Sequence, residues 1–174
     1  MATGATYSVR YRRKRQQKTD YKRRLNLLKS ETTRFVVRPT NKNTIAQLIE
    51  YSEDGDKVVA QANSGELKKM GWAHSTSNTP AAYLSGLLCG VRGREKGVEK
   101  AVLDTGLYPM IRGSRIYAAL KGLIDSGVES GADEVIFPAE DRIRGKVIAA
   151  YVERSKNIEA DFDKVKASIL KSSK

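Results

Sequence analysis

The sequence predicts an α/β fold of order βββαβα, with a mixed sheet, a basic arm in front of it and a helical tail behind. Three observations support this. Short β-rich runs separated by tight turns fill residues 32–63. Helical and extended periodicities then alternate between residues 78 and 152. The charge is unevenly spread: residues 1–24 hold nine Lys and Arg against the single acid Asp20, so +8 of the net +12 sits in the first 24 of 174 residues. The expected division is an arm at 1–30, a globular α/β domain at 31–152 and an amphipathic extension at 153–174.

Within the arm, Thr19 to Lys29 has helical spacing. Thr19 is the expected cap, and Tyr21, Leu25 and Leu28 are expected on one face with Lys22, Arg23, Arg24 and Lys29 opposite. Such a helix would dock by its apolar side and present charge outward. Residues before Tyr21 have too little apolar surface to fold alone, so they are expected to order on binding.

Arg34-Phe35-Val36-Val37-Arg38 reads as a strand stopped by Pro39, and Asn41-Lys42-Asn43 as a turn. Thr44 to Ser52 is the second strand. Glu53-Asp54-Gly55-Asp56 turns the chain into a third, Lys57 to Ala62. Short connections make this an antiparallel meander. Thr79-Pro80 then sets a cap before a helix whose Leu84, Leu87, Leu88 and Val91 fall at i, i+3, i+4 and i+7, the pattern of a helix on a sheet. Ala101-Val102-Leu103 is a brief strand. Ser114 opens a helix carrying Ile116, Leu120, Leu123 and Ile124, and Val135-Ile136-Phe137 is a candidate last strand. Asp141 to Tyr151 forms a further short helix. In the tail, Ile158, Phe162, Val165 and Ile169 share one helical face. A meander followed by a crossover gives a mixed sheet.

Composition narrows the function classes. A pI near 9.8 points to a polyanionic partner. The single cysteine, Cys89, excludes an intrachain disulfide and fits a reducing compartment. The longest mostly apolar stretch, Ala81 to Val91, is too short to span a bilayer. The charged start has no apolar core of a secretory signal, so the cytoplasm is the expected setting.

The arm is the strongest functional signal. Arg10 and the run Arg12-Arg13-Lys14-Arg15 suit phosphates, and Tyr7, Tyr11 and Tyr21 suit stacking on unpaired bases. A solvated tail or a nuclear localisation signal is the plain alternative, but the interleaved aromatics and the run into a helix favour nucleic acid. Arg34 and Arg38 share a strand face by even spacing. With Lys42 and Asn43 they either extend the basic surface or form an ordinary solvent-facing edge.

Enzyme signals are thin, and no cofactor or metal is expected. His74 is the only histidine, and Cys89 sits in an apolar helical stripe that suits core packing. No phosphate-cradling G-x-x-x-x-G-K-[ST] occurs. Gly86, Gly90 and Gly93 fall inside a helical pattern, where they allow close approach of another helix or of RNA. Ribonuclease H-like nucleases share the βββαβα order, but they cluster carboxylates on the sheet to hold two metal ions. Here the first strand offers Arg34 and Arg38 and no acid, and Asp104 after the fourth strand is isolated. A metal-dependent nuclease and a DNA-binding basic protein are the two alternatives.

Specific stretches occur in order along the chain: Lys18-Thr19-Asp20-Tyr21 with Arg24-Leu25, Arg34 to Arg38 with Asn41-Lys42, and Asn78-Thr79-Pro80-Ala81-Ala82-Tyr83-Leu84. Gly113-Ser114-Arg115-Ile116-Tyr117 through Lys121-Gly122, and Asp141-Arg142-Ile143-Arg144-Gly145, complete the set. Together they resemble the archaeal form of large-subunit ribosomal protein eighteen, which binds 5S rRNA. The resemblance implies a translational-machinery α/β domain in the central protuberance. It also implies an arm that enters 5S rRNA and contacts large-subunit rRNA, with neighbouring ribosomal proteins as further partners. RNA contact is thereby expected at Arg10, Arg12, Arg13, Arg15, Lys18, Tyr21, Arg24, Arg38, Asn41 and Lys42. The charge of the arm adds Lys14, Lys22 and Arg23. The segment around Trp72 and His74 departs from the family pattern and carries no assignment.

Overall fold

A computed structural model describes residues 4–171, so the first three residues of the expected arm and the last three of the tail lie outside it. The arm contains a helical turn, α1 (Arg12–Arg15), and a longer helix, α2 (Tyr21–Leu28). Strands β1 (Thr33–Pro39), β2 (Thr44–Glu50) and β3 (Lys57–Asn63) form the meander, and α3 (Thr79–Arg94) crosses to β4 (Ala101–Asp104). Helices α4 (Arg115–Asp125), α5 (Glu140–Arg144), α6 (Lys146–Tyr151) and α7 (Ile158–Lys171) follow.

The sheet order is β3-β2-β1-β4, antiparallel within the meander and parallel between β1 and β4. The mixed four-stranded sheet flanked by helices agrees with the sequence. Alternation along β1 turns Phe35 and Val37 into the core, together with Ala46 and Leu48 of β2 and Ala60 and Ala62 of β3. α3 lies over β2 and β3, and α4 lies against α3 and β1.

α3 is buried on nearly every side, because α4 and α7 cover what the sheet does not. Its glycines serve packing. A Cβ on Gly86 would strike the backbone of Ala119 in α4, and one on Gly122 would strike the backbone of Tyr83 in α3. Each helix thus presents a bare backbone to the other, and helix approach accounts for Gly86. Along α7, Ile158, Phe162, Val165 and Ile169 are all buried, and the Phe162 ring meets Tyr83 at 5.4 Å. The tail helix is therefore part of the core.

Several local expectations need correction. Asp20, not Thr19, caps α2, accepting from Lys22 N at 3.0 Å and Arg23 N at 3.2 Å. Asn78, not Thr79, caps α3 through Ala81 N at 2.9 Å. Ser114 stands at the cap position of α4 but makes no side-chain cap bond. Val135 to Phe137 is not a strand: Glu134–Ile136 forms a single 3-10 turn, and the chain pairs beside β4 only at an isolated bridge between Lys100 and Glu129. The expected helix from Asp141 to Tyr151 is broken at Gly145, whose φ of 87° ends α5 and starts α6. The unassigned stretch after β3 forms a 3-10 helix, Ser64–Met70, opened by a reciprocal cap between Asn63 and Glu66. It carries Leu67 into the core, and Trp72 just beyond it is buried too, donating Nε1–H to Ser75 O at 3.1 Å.

Candidate nucleic-acid interface

Most cations of the outer arm are exposed. Arg10, Arg12, Lys14, Arg15 and Lys18 make no ion pair among the described residues, and α1 buries no side chain. A helical turn at Arg12–Arg15 is more order than the sequence suggested. It is tied locally: Arg13 Nε donates to Thr19 Oγ1 at 2.8 Å, and the Tyr11 and Tyr21 rings lie 5.1 Å apart.

α2 docks only partly by the side expected: Tyr21 and Leu28 are half-buried and Lys22 and Lys29 exposed, as the spacing predicts. Leu25 is 57% exposed, whereas Arg23 and Arg24 turn toward the body. Arg23 Nη1 donates to Gly106 O at 3.0 Å, and Arg24 Nη2 reaches Asp56 Oδ1 at 2.8 Å. The expectation fails at Leu25, Arg23 and Arg24 because the body offers a carboxylate and a carbonyl there as well as apolar surface. Lys22 is exposed.

At the centre lies Arg34, only 3% exposed. It does not extend a basic surface. Its Nη1 donates to Asp104 Oδ2 at 2.9 Å and its Nη2 to Asp56 Oδ2 at 2.8 Å. Asp104 is therefore not isolated. Asp56, from the turn before β3, bridges Arg24 of the arm and Arg34 of β1. Burial pushes the Asp56 carboxyl up, but hydrogen bonds from Arg24 and Arg34 and their charges outweigh it and hold it below its ordinary value. A chain of alternating charge thus fastens the arm to the sheet: Arg24, Asp56, Arg34, Asp104.

Between arm and sheet is a cleft of about 490 Å³. It brings together Arg13, Lys18, Arg23, Arg24 and Arg38, five of the expected RNA-contacting residues. Arg38 is exposed at the end of β1. Asn41 and Lys42 lie at the next turn, outside the cleft lining but firmly held. Thr76 Oγ1 donates to Lys42 O at 2.7 Å, Thr40 N donates to Asn43 O at 2.7 Å, and Arg115 Nη1 donates to Thr40 O at 3.1 Å. Arg10, Arg12, Lys14, Arg15, Tyr21 and Lys22 do not line the cleft.

The family described as "Ribosomal large subunit proteins 60S L5, and 50S L18" matches residues 5–99. The chain is also similar along most of its length to archaeal proteins named "Large ribosomal subunit protein uL18". The protein from Methanoregula boonei is 45% identical over 171 residues, covering 98% of both chains. That from Korarchaeum cryptofilum is 49% identical over 154 residues, 88% of this chain and 79% of the relative. This chain belongs to the uL18 family. The family match over residues 5–99 takes in the arm from residue 5, the meander and α3, and with them every cation named in the cleft.

Sequence reasoning missed four contributors to this uL18 surface: Asp56, Asp104, Leu107 and Tyr108. Asp104 Oδ1 accepts from Gly106 N at 2.9 Å, and this turn sets Leu107 and Tyr108 at the cleft. The run Asp104-Thr105-Gly106 carries turn chemistry that marks a bend, though not what the bend faces.

Other candidate reactive groups are structural. Cys89 is buried in α3, and burial pushes its thiol up to about 12. His74 Nε2 lies 3.1 Å from Asp161 Oδ2 of α7, with its ring edge-on to Trp72 at 5.1 Å. No group of His, Cys, Asp and Glu that could hold a metal occurs among the described residues, nor does any described helix have the length and apolarity to cross a membrane.

Proposed function

We propose that this chain is a structural constituent of the large ribosomal subunit, binding 5S rRNA and anchoring it to large-subunit rRNA in the central protuberance. The observation that carries this reading is the exposed cationic outer arm held at a fixed place on the sheet by Arg23 and Arg24, in a chain of the uL18 family. Exposed cations neutralise phosphates and supply affinity, while the docked helix and folded body supply position and shape. Ribosomal RNA and ribosomal proteins are the partners that uL18 membership implies. Neighbouring proteins of the protuberance are assigned to the rest of the surface, and the cytoplasmic ribosome to its location.

The RNA-contacting set is Arg10, Arg12, Arg13, Lys14, Arg15, Lys18, Tyr21, Lys22, Arg23, Arg24, Arg38, Asn41 and Lys42. It is supported by the exposure of most of its cations and by the rigid turn under Asn41 and Lys42. Arg23 and Arg24 enter it in a second capacity, since both already hold the arm to the body. The strand order β3-β2-β1-β4 with a parallel β1–β4 pair supports a translational-machinery domain of ribonuclease H-like topology. Chemistry of the nuclease kind is not part of this reading: a guanidinium, Arg34, occupies the space between Asp56 and Asp104. The proposed division is arm 1–30, domain 31–152 and extension 153–174, the extension packing its helix into the domain's core.

Competition at one fixed salt concentration tests the proposal. Unlabelled 5S rRNA should displace labelled 5S rRNA from the full chain far better than generic duplex RNA or DNA of equal length. Equal displacement by all three would reduce the protein to a general polyanion binder.

A further inference from the structure

We infer that the cleft between the arm and the sheet receives one unpaired nucleotide of the bound RNA, its base against Tyr108 and its phosphate near Lys18 and Arg38. This deepens the RNA-binding reading above and rests on it.

The cleft has the size and the chemistry for such a guest. At about 490 Å³ it lies in the range of small-ligand sites and is large enough for a nucleotide but not for a duplex. Tyr108 and Leu107 supply an aromatic ring and an aliphatic side chain, and both are partly exposed at the cleft. Their turn is built rather than loose. Asp104 holds Gly106 N, Arg23 holds Gly106 O, and Tyr108 N closes onto Thr105 O at 3.1 Å.

The charge in the cleft is sorted. Asp56 and Asp104 are taken up by Arg24 and Arg34, and Asp20 by backbone N–H groups of α2. Lys18 and Arg38 have no ion-pair partner among the described residues. An aromatic wall beside uncommitted cations is the combination that binds unpaired RNA, since a splayed base stacks while its phosphate is neutralised.

The network behind the cleft wall is not fully satisfied. Arg34 lines the cleft, is 3% exposed, and its Nε–H has no acceptor although both terminal nitrogens are paired. A buried donor without an acceptor is rare in a folded protein.

The test uses the full chain and three RNAs at fixed salt: a 5S rRNA transcript, a short oligouridine and a perfect RNA duplex. Tyr108→Ala should weaken binding to 5S rRNA and oligouridine by about five- to hundredfold and leave duplex binding unchanged. Tyr108→Phe should restore the loss, because stacking needs the ring and not the hydroxyl. With wild-type protein and 4-thiouridine-substituted 5S rRNA, photo-crosslinks should fall on the turn from Asp104 to Tyr108. Undiminished affinity of Tyr108→Ala for both 5S rRNA and oligouridine, or an equal loss on the duplex, overturns the inference and leaves the cleft to an acidic protein segment. If the alanine variant does not fold, crosslinks that avoid this turn overturn it instead. A wild-type chain that does not favour 5S rRNA sinks the ribosomal reading alone; the Tyr108 contrast between oligouridine and duplex still decides the cleft.

Discussion

The two halves of the arm are built from the same basic residues and use them differently. In residues 10–18, Arg10, Arg12, Lys14, Arg15 and Lys18 stand in solvent with no ion pair among the described residues. In α2, Arg23 and Arg24 are spent on Gly106 O and Asp56. A solvated cation gives up only water and counterions when a phosphate arrives, so its full attraction appears as RNA affinity. A cation already paired to a carboxylate must share or abandon that partner. The outer half is therefore free to bind, and the inner half fixes where binding happens.

The largest expected effect strikes the anchor of the inner half. Arg34→Ala leaves Asp56 and Asp104 facing each other on the sheet without their shared guanidinium. Removing one partner of a buried ion network costs about 3–5 kcal/mol, and partial exposure of both carboxylates places this case near the lower figure. Chemical denaturation of the variant measures it. A loss below about 1 kcal/mol would make the network decorative.

A smaller loss follows from Arg24→Ala. This pair is about a third exposed on the arginine side, so solvent screening limits its worth to about 1 kcal/mol or less. The local consequence is sharper than the global one. Limited proteolysis with trypsin should cut faster after Lys22 and Arg23 in this variant, with the core fragment unchanged. Equal cleavage in variant and wild type would separate arm docking from Arg24.

Acid should loosen the same contact. The folded pKa of Asp56 lies below its ordinary value of 3.8, so its contribution is complete above that value and is lost as pH falls through the folded pKa. A carboxyl-carbon NMR titration should place its midpoint below 3.8, and a midpoint at or above that value would contradict the ion pairs. The smallest effect is a null one. Cys89, buried with its thiol pushed up to about 12, should resist alkylation in the native protein and react only on unfolding.

Much of the scaffold was legible in the sequence because periodicity reports which residues are buried. The meander, the stripe on α3 and the face of α7 follow from spacings of two and of three to four. Arg34 shows where that reading stops. Even spacing with Arg38 correctly places both on the outer face of β1, but spacing does not reveal that the arm returns to cover one of them and not the other. Leu25 was misjudged for the same reason. The amphipathic rule assumes an apolar partner, and here α2 meets Asp56 and the Gly106 carbonyl. The cleft needed two residues from the turn after β4, Leu107 and Tyr108, whose meeting with Lys18 is a product of tertiary packing alone. The misread strand at Val135 to Phe137 was too short for its pattern to decide between a strand and a 3-10 turn.

The division of labour between the two halves is tested most directly by the salt dependence of 5S rRNA binding. With roughly 6 to 8 phosphate contacts, log K should fall against log salt with a slope of about −4 to −7. Replacing Arg12, Arg13, Lys14 and Arg15 together with alanine should flatten that slope by about 3 and leave unfolding stability within about 0.5 kcal/mol of wild type. An unchanged slope, or a large loss of stability with it, would contradict an outer arm that grips RNA and an inner arm that holds it in place.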